Sequence, residues 1–187
     1  MQYATIEEVE AYCGFTNPSE AERALLDSLI TVASQMIDDE CNRVFGIETG
    51  AAVVTKTFTA DNGLLPSTGL LPDSQRKLYL DDDLYDVVSI PTMLPVTVTI
   101  TYLPATPPYY ALVRSEGTWE DPTTIVGHWA YSAEPPAAIV NTTCRLVQWL
   151  YHQRESVMGQ GNTTNAPNRI PVDVDQVLSH YRRIKLP

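Results

Sequence analysis

Three histidines, three cysteines and one run of carboxylates are the side chains of this sequence best suited to catalysis or metal binding. His128, His152 and His180 stand far apart, with no H-x-x-x-H pair or other zinc-ligand spacing. Cys13, Cys41 and Cys144 form no C-x-x-C pair and cannot make an even disulfide framework. Each falls in a segment of helical pattern, where a cysteine serves as a small buried apolar residue. Asp81-Asp82-Asp83 with Asp86 offers oxygen ligands to a hard cation such as Ca²⁺. It lacks the D-x-D-x-D-G spacing and the distal glutamate of an EF-hand, so a solvated turn between two strands is the expected reading. No G-x-S-x-G, P-loop or G-x-G-x-x-G occurs. These residues give an enzyme nothing to stand on, and they imply no cofactor and no metal site.

A protein without local chemistry must work through its surfaces, and charge is the first guide to those. The 187 residues carry a net charge of -11, unevenly spread. Residues 1–50 hold ten acids and two bases, residues 51–141 ten and four, and residues 142–187 three and six. An acidic front and a basic tail suit a chain whose end meets an acidic partner or another copy of itself. No basic patch interleaved with aromatics appears, which disfavours sequence-specific nucleic-acid binding. Apolar runs stay below the roughly 18 residues of a membrane span, and the N-terminus has no basic n-region or apolar h-region. A soluble, unsecreted protein without a membrane partner is expected.

The elements that present those surfaces run helix, strands, helix. Thr5-Ile6-Glu7-Glu8 is a capping box opening a short helix that stops at Gly14. Asn17-Pro18 then supplies an N-cap and an N1 proline. Apolar residues from Ala21 through Leu26, Ile30, Ala33, Ile37 and Cys41 to Val44 draw one stripe along a helix of about 27 residues. Between Ala51 and Tyr131 the pattern becomes β-rich, with strands expected over 53–59, 77–80, 87–90, 96–102, 109–113 and 124–131. Prolines 91, 95, 104, 107, 108 and 122 sit between the runs, as turn residues do.

Pro135-Pro136 ends the last strand and starts a helix, since proline lacks a backbone donor but is tolerated in a first helical turn. Asn141, Arg145, Gln148, His152 and Glu155 form a narrow polar stripe on it, leaving a broad apolar arc that includes Trp149. That arc predicts a central helix in which Trp149→Ala costs about 3–5 kcal/mol. Residues 157–171 read as a loop, either a functional arm or a locally disordered segment. The final helix is expected from about Asp173, with Arg182, Arg183 and Lys185 in its last turn, where the helix dipole favours cations. The fold class is therefore α+β: N- and C-terminal helices (1–50 and 132–187) forming a bundle, with a small antiparallel β-sandwich or barrel (51–131) inserted between them.

The order of these elements, with "GHWAYSAEPPAAIVNTTCRLVQWLYHQRES" and the closing "LSHYRRIKLP", resembles the head–tail connector, or adaptor, proteins of tailed bacteriophages. Members tend to show a G-x-W-G-Y-like strand end, a Pro-Pro helix start and an R-x-S-like helix end. Gly127, Trp129, Tyr131, Pro135, Pro136 and Arg154-Glu155-Ser156 match, with Ala130 in place of the glycine. The resemblance implies a non-enzymatic virion neck protein made in the host cytoplasm. Its copies would form a ring, typically twelvefold, under the portal, meet the next neck or tail protein on the other side, and let genomic DNA pass through the lumen without specific binding. Portal contact is expected from Tyr181, Arg182, Arg183, Lys185 and Leu186, with the loop around Gly159 and Gly161 as an arm that orders on assembly. Trp129, Pro135, Pro136 and Trp149 carry structural roles. Another neck or tail-completion protein, of stopper or terminator type, shares most of these features, and a small metal-binding or enzymatic domain built on Asp81–Asp86 is the distant alternative.

Overall fold

Thr5 opens the first helix, α1 (Ile6–Cys13), as its capping box predicts: its hydroxyl accepts the Glu8 N–H at 3.2 Å, and the Glu8 carboxylate accepts the Thr5 N–H at 2.8 Å. Gly14 ends the helix in the left-handed region at φ 72°. The computed structural model describes residues 1–48, 52–59, 76–91, 98–159 and 170–183, with 155–159 described by backbone alone. Among these residues the chain is mixed α and β, with four helices and two antiparallel three-stranded sheets. It divides into two compact units, Met1–Phe45 with Pro135–Pro187, and Gly46–Glu134.

In the first unit the long helix α2 (Glu20–Cys41) starts two residues later than expected. Its N-cap is Ser19, whose hydroxyl accepts the Glu22 N–H at 3.3 Å while Glu22 accepts the Ser19 N–H at 2.8 Å. Two terminal donors are thus satisfied reciprocally. Asn17 instead takes φ 54° in the connecting turn. Hydrogen bonds from Ser19 hold the Glu22 carboxyl below its usual range. The helix stops at Cys41, with Asn42 at φ 51°, so it has 22 residues and leaves Val44 outside. Leu26, Ile30, Ala33, Ser34, Ile37 and Cys41 form its buried stripe.

Helix α3 (Ala137–Gly159) begins at the diproline, where the Pro136 carbonyl accepts the N–H of Ile139 at 2.8 Å and of Val140 at 3.1 Å. It packs against α1, α2 and α4 (Val172–Ser179). Ile139, Thr142, Thr143, Cys144, Leu146 and Val147 are buried, and both threonine hydroxyls donate to their own helix, at Ala138 and Ile139, so neither is stranded. Burial pushes the Cys41 and Cys144 thiols up to about 11, which keeps them neutral and poorly nucleophilic at pH 7. Two expectations need correction. Trp149 is only half-buried, so Trp149→Ala forfeits less than a fully buried tryptophan would. Helix α3 also runs on to Gly159, through residues expected to belong to the loop. Gly161 lies outside the described residues.

In the second unit, β1 (Val54–Phe58), β6 (Thr123–His128) and β3 (Asp86–Ser89) make one sheet in that order, and β2 (Lys77–Leu84), β5 (Tyr109–Arg114) and β4 (Ile100–Leu103) make the other. Alternation selects the inward side chains: Phe58, Leu78, Leu80, Leu84, Leu112, Trp119 and Ile125 form one apolar cluster drawn from both sheets. The Trp119 indole N–H is satisfied by the Arg76 carbonyl at 2.8 Å. Strand β2 continues through Asp81, Asp82 and Asp83, so these are not the turn expected between two strands. A register irregularity between Tyr79 and Leu84 lets the strand carry them, and Lys56 on β1 compensates Asp81 and Asp82.

Gly127 pairs with Val54 on one side and Val87 on the other. A Cβ there would overlap the Asp86 carbonyl oxygen and approach Leu84 Cδ1 at 3.0 Å. The obstacle is backbone held in a strand, so it cannot rotate away. Gly127→Ala is expected to destabilise the protein by about 1–3 kcal/mol, read as a lower urea midpoint at unchanged slope. An unchanged midpoint would show that the β3–β6 pairing yields freely.

Candidate interaction surfaces

Of the residues expected to meet a partner at the C-terminus, Arg182 and Arg183 are held against α2. Helix α4 ends at Ser179 with His180 as its C-cap, so Arg182 and Arg183 lie beyond the last turn and are not placed to answer the helix dipole as expected. Arg182 pairs instead with Glu40 of α2 and with Asp175 of α4, the latter at 2.6 Å. The Glu40 hydrogen bond is the chief reason its guanidinium pKa is raised. The Arg183 N–H donates to the Cys41 carbonyl at 2.8 Å, covering one of the carbonyls that a helix end leaves open. Tyr181 meets Phe45 edge-on at 5.5 Å. Lys185 and Leu186 lie outside the described residues.

The other end of the chain grips the same helix and the segment just after it. Gln2 donates to the Asp27 carboxylate at 2.9 Å and to Thr31 at 3.1 Å. The Tyr3 N–H donates to Ser34 Oγ at 3.0 Å. The Tyr3 hydroxyl accepts the Phe45 N–H at 2.9 Å and donates to Asp38. Burial raises the Tyr3 hydroxyl pKa, with the Asp38 contact second, and burial also raises the Asp38 carboxyl. Arg145 of α3 pairs with Asp173 at the start of α4 at 2.9 Å, and this hydrogen bond holds the Asp173 carboxyl low. The basic tail is thus partly answered by the chain itself, through Glu40, Asp173 and Asp175. No local motif signals these pairings, because the partners lie as far apart as Glu40 and Arg182.

In the β-unit, His128 Nδ1 lies 2.6 Å from Asp86 Oδ1, and the same oxygen accepts the His128 N–H at 3.2 Å. Asp86 and His128 are register partners across β3 and β6, so this contact fastens a strand end. Lys56 sits 4.6 Å from the Trp129 ring centre, and Trp129 donates its indole N–H to the Val54 carbonyl at 3.1 Å. Trp129 therefore staples the entry of β1 to the exit of β6. Among the described residues no group of three or more His, Cys, Asp or Glu is arranged to hold a metal, and no helix is long and apolar enough to cross a membrane. His180 Nδ1 lies 2.8 Å from the Gln176 carbonyl oxygen, and the His152 ring meets its neighbour Tyr151 edge-on at 6.1 Å.

No protein-family profile and no curated protein matches the chain. Among solved structures it is similar to a chain of the "Neck of empty GTA particle computed with C6 symmetry", with a TM-score of 0.61 and 12% sequence identity. The match covers 99% of this chain and 92% of that one. At that identity the likeness is one of fold, and it takes in the helical and the β-rich segments alike.

Proposed function

We propose that this chain is a structural neck protein of a phage-type particle, a head–tail connector whose copies form a ring beneath a portal, extend the DNA channel and join capsid to tail. The fold likeness to a particle-neck chain over 99% of the sequence carries the reading. It agrees with the order of elements and with the Gly127, Trp129, Pro135 and Pro136 positions at the junction of strand and helix. In this reading Trp129, Pro135 and Pro136 fix how the chain leaves the β-unit, and the acidic chain, at net charge -11, gives a channel wall that repels DNA phosphate so that the genome slides.

Portal contact is assigned to the C-terminal end, Tyr181, Arg182, Arg183, Lys185 and Leu186, together with the segment around Gly159 and Gly161. Tyr181 and Arg182 also hold α2, so removing residues 180–187 would unfasten the helical unit and confuse folding with binding. Truncation after Arg183 spares those contacts. Light scattering after size exclusion, on the protein alone and mixed with its portal protein, is expected to show a ring-sized species or recruitment to the portal. The truncated protein should lose at least tenfold in portal affinity while melting like the parent. Undiminished binding would move the contact elsewhere, and a monomer that ignores portal would sink the connector reading.

A further inference from the structure

Three consecutive residues of α3, Trp149, Leu150 and Tyr151, are all half-buried. Successive helical residues are rotated by about 100°, so these three wrap more than half of the helix. The helices packed on α3 leave part of each of them open. Earlier on the same helix, Cys144, Leu146 and Val147 are fully enclosed. The collar is extended by Phe15, whose ring lies 5.3 Å from that of Tyr151. One turn beyond Leu150, Arg154 is exposed and has no ion-pair partner among the described residues.

The outward face of α2 is complementary. Ala21, Ala24, Ser28, Val32, Gln35 and Asp39 are exposed and recur at spacings of three and four, a single stripe about 27 Å long at 1.5 Å per residue. Ala21, Ala24 and Ser28 in its first half are small, which allows close approach there. The Ser28 hydroxyl already donates to the Ala24 carbonyl at 3.0 Å, so covering it strands no donor. The stripe carries one charge, Asp39, at its C-terminal end, exposed and without an ion-pair partner among the described residues.

Head-to-tail association by rotation requires two different, mutually complementary patches on every copy. A half-buried aromatic collar ending in a cation and an exposed, largely uncharged stripe ending in an anion meet that requirement in chemistry and in sign. We infer that the Trp149–Arg154 end of α3 docks on the exposed α2 stripe of the next copy, with Arg154 against Asp39. This rests on the connector reading and supplies its subunit contact.

Sedimentation of the full chain over about a hundredfold range of concentration tests it. Wild type is expected to self-associate. Ala24→Arg places bulk and like charge in the stripe, and Arg154→Glu sets two anions together; each should weaken association at least tenfold. Both sites are exposed and helical, so thermal melts should match wild type. Combining Arg154→Glu with Asp39→Arg should recover most of the loss, which neither change alone can do. Association unaffected by Ala24→Arg and Arg154→Glu overturns the inference and leaves the ring reading standing. Failure of the charge swap to restore association overturns the Arg154–Asp39 pairing. A wild type that stays monomeric throughout overturns the inference, while the connector reading stands or falls on recruitment to the portal.

Discussion

Replacing Phe45 with alanine should remove about 3–5 kcal/mol of stability and lower Tm by roughly 6–20 °C. Phe45 is fully buried just beyond the end of α2, and its ring receives Tyr3 edge-on at 5.8 Å and Tyr181 edge-on at 5.5 Å. Those two tyrosines come from opposite ends of the described chain, so the ring is the piece both termini close upon. Alanine leaves a void with aromatic walls and forfeits two edge-to-face pairs, each worth about 0.5–1.5 kcal/mol beyond area burial. Phe45→Leu keeps most of the volume and should recover the larger part of the loss. Urea unfolding checks both variants; a deficit below about 1 kcal/mol for alanine would mean that the surrounding side chains collapse into the space.

Phe58→Ala should be of similar size, about 3–5 kcal/mol, and should strike the β-unit. Phe58 is buried at the end of β1, among Leu78, Leu80, Leu84, Leu112 and Ile125, with the Trp129 ring 5.9 Å away. Its loss opens the cluster at the point where both sheets contribute to it. Trp129 is the reporter: freed from Phe58, its indole should meet more water and emit to the red, while far-UV helical dichroism should change little in the native baseline. A variant with wild-type stability and unshifted emission would show that Phe58 is dispensable to the cluster.

Much of this architecture was legible locally. Thr5 and Glu8, Gly14, the α2 stripe and the diproline start of α3 each act within about four residues, the reach of capping and helical periodicity. Ser19 and Glu22 carry the same capping-box signal as Thr5 and Glu8, yet the neighbouring Asn17-Pro18 competes for the same helix start. Only the backbone, with Asn17 at φ 54°, decides between them. The acidic run was misread for a different reason. Three consecutive aspartates favour a turn by composition, and the cation that answers two of them, Asp81 and Asp82, is Lys56, on another strand and invisible to any window around Asp81. Charge by segment was likewise informative only in part. Arg182 finds Glu40, and Arg145 finds Asp173, pairings that a count of acids and bases does not contain. The proposed subunit contact was less legible still, because Trp149 counts as core in any apolar stripe until the depth of its burial is known.

Helix α2 is completed by residues that follow it after a long interval. The β-unit, Gly46–Glu134, is contiguous, and its two ends are tied by the Ile47 N–H to the Ala133 carbonyl at 2.9 Å. During synthesis at about 5–20 residues per second, the first 45 residues wait roughly 5–20 s before α3 emerges to cover Leu26, Ile30 and Ile37. The strands meanwhile have all their partners at hand. The newborn chain therefore folds its middle first, with a solvent-exposed amphipathic helix tethered in front. Over that interval the stripe of α2 is open to chaperones or to another nascent chain, and it closes when the residues up to Arg183 arrive.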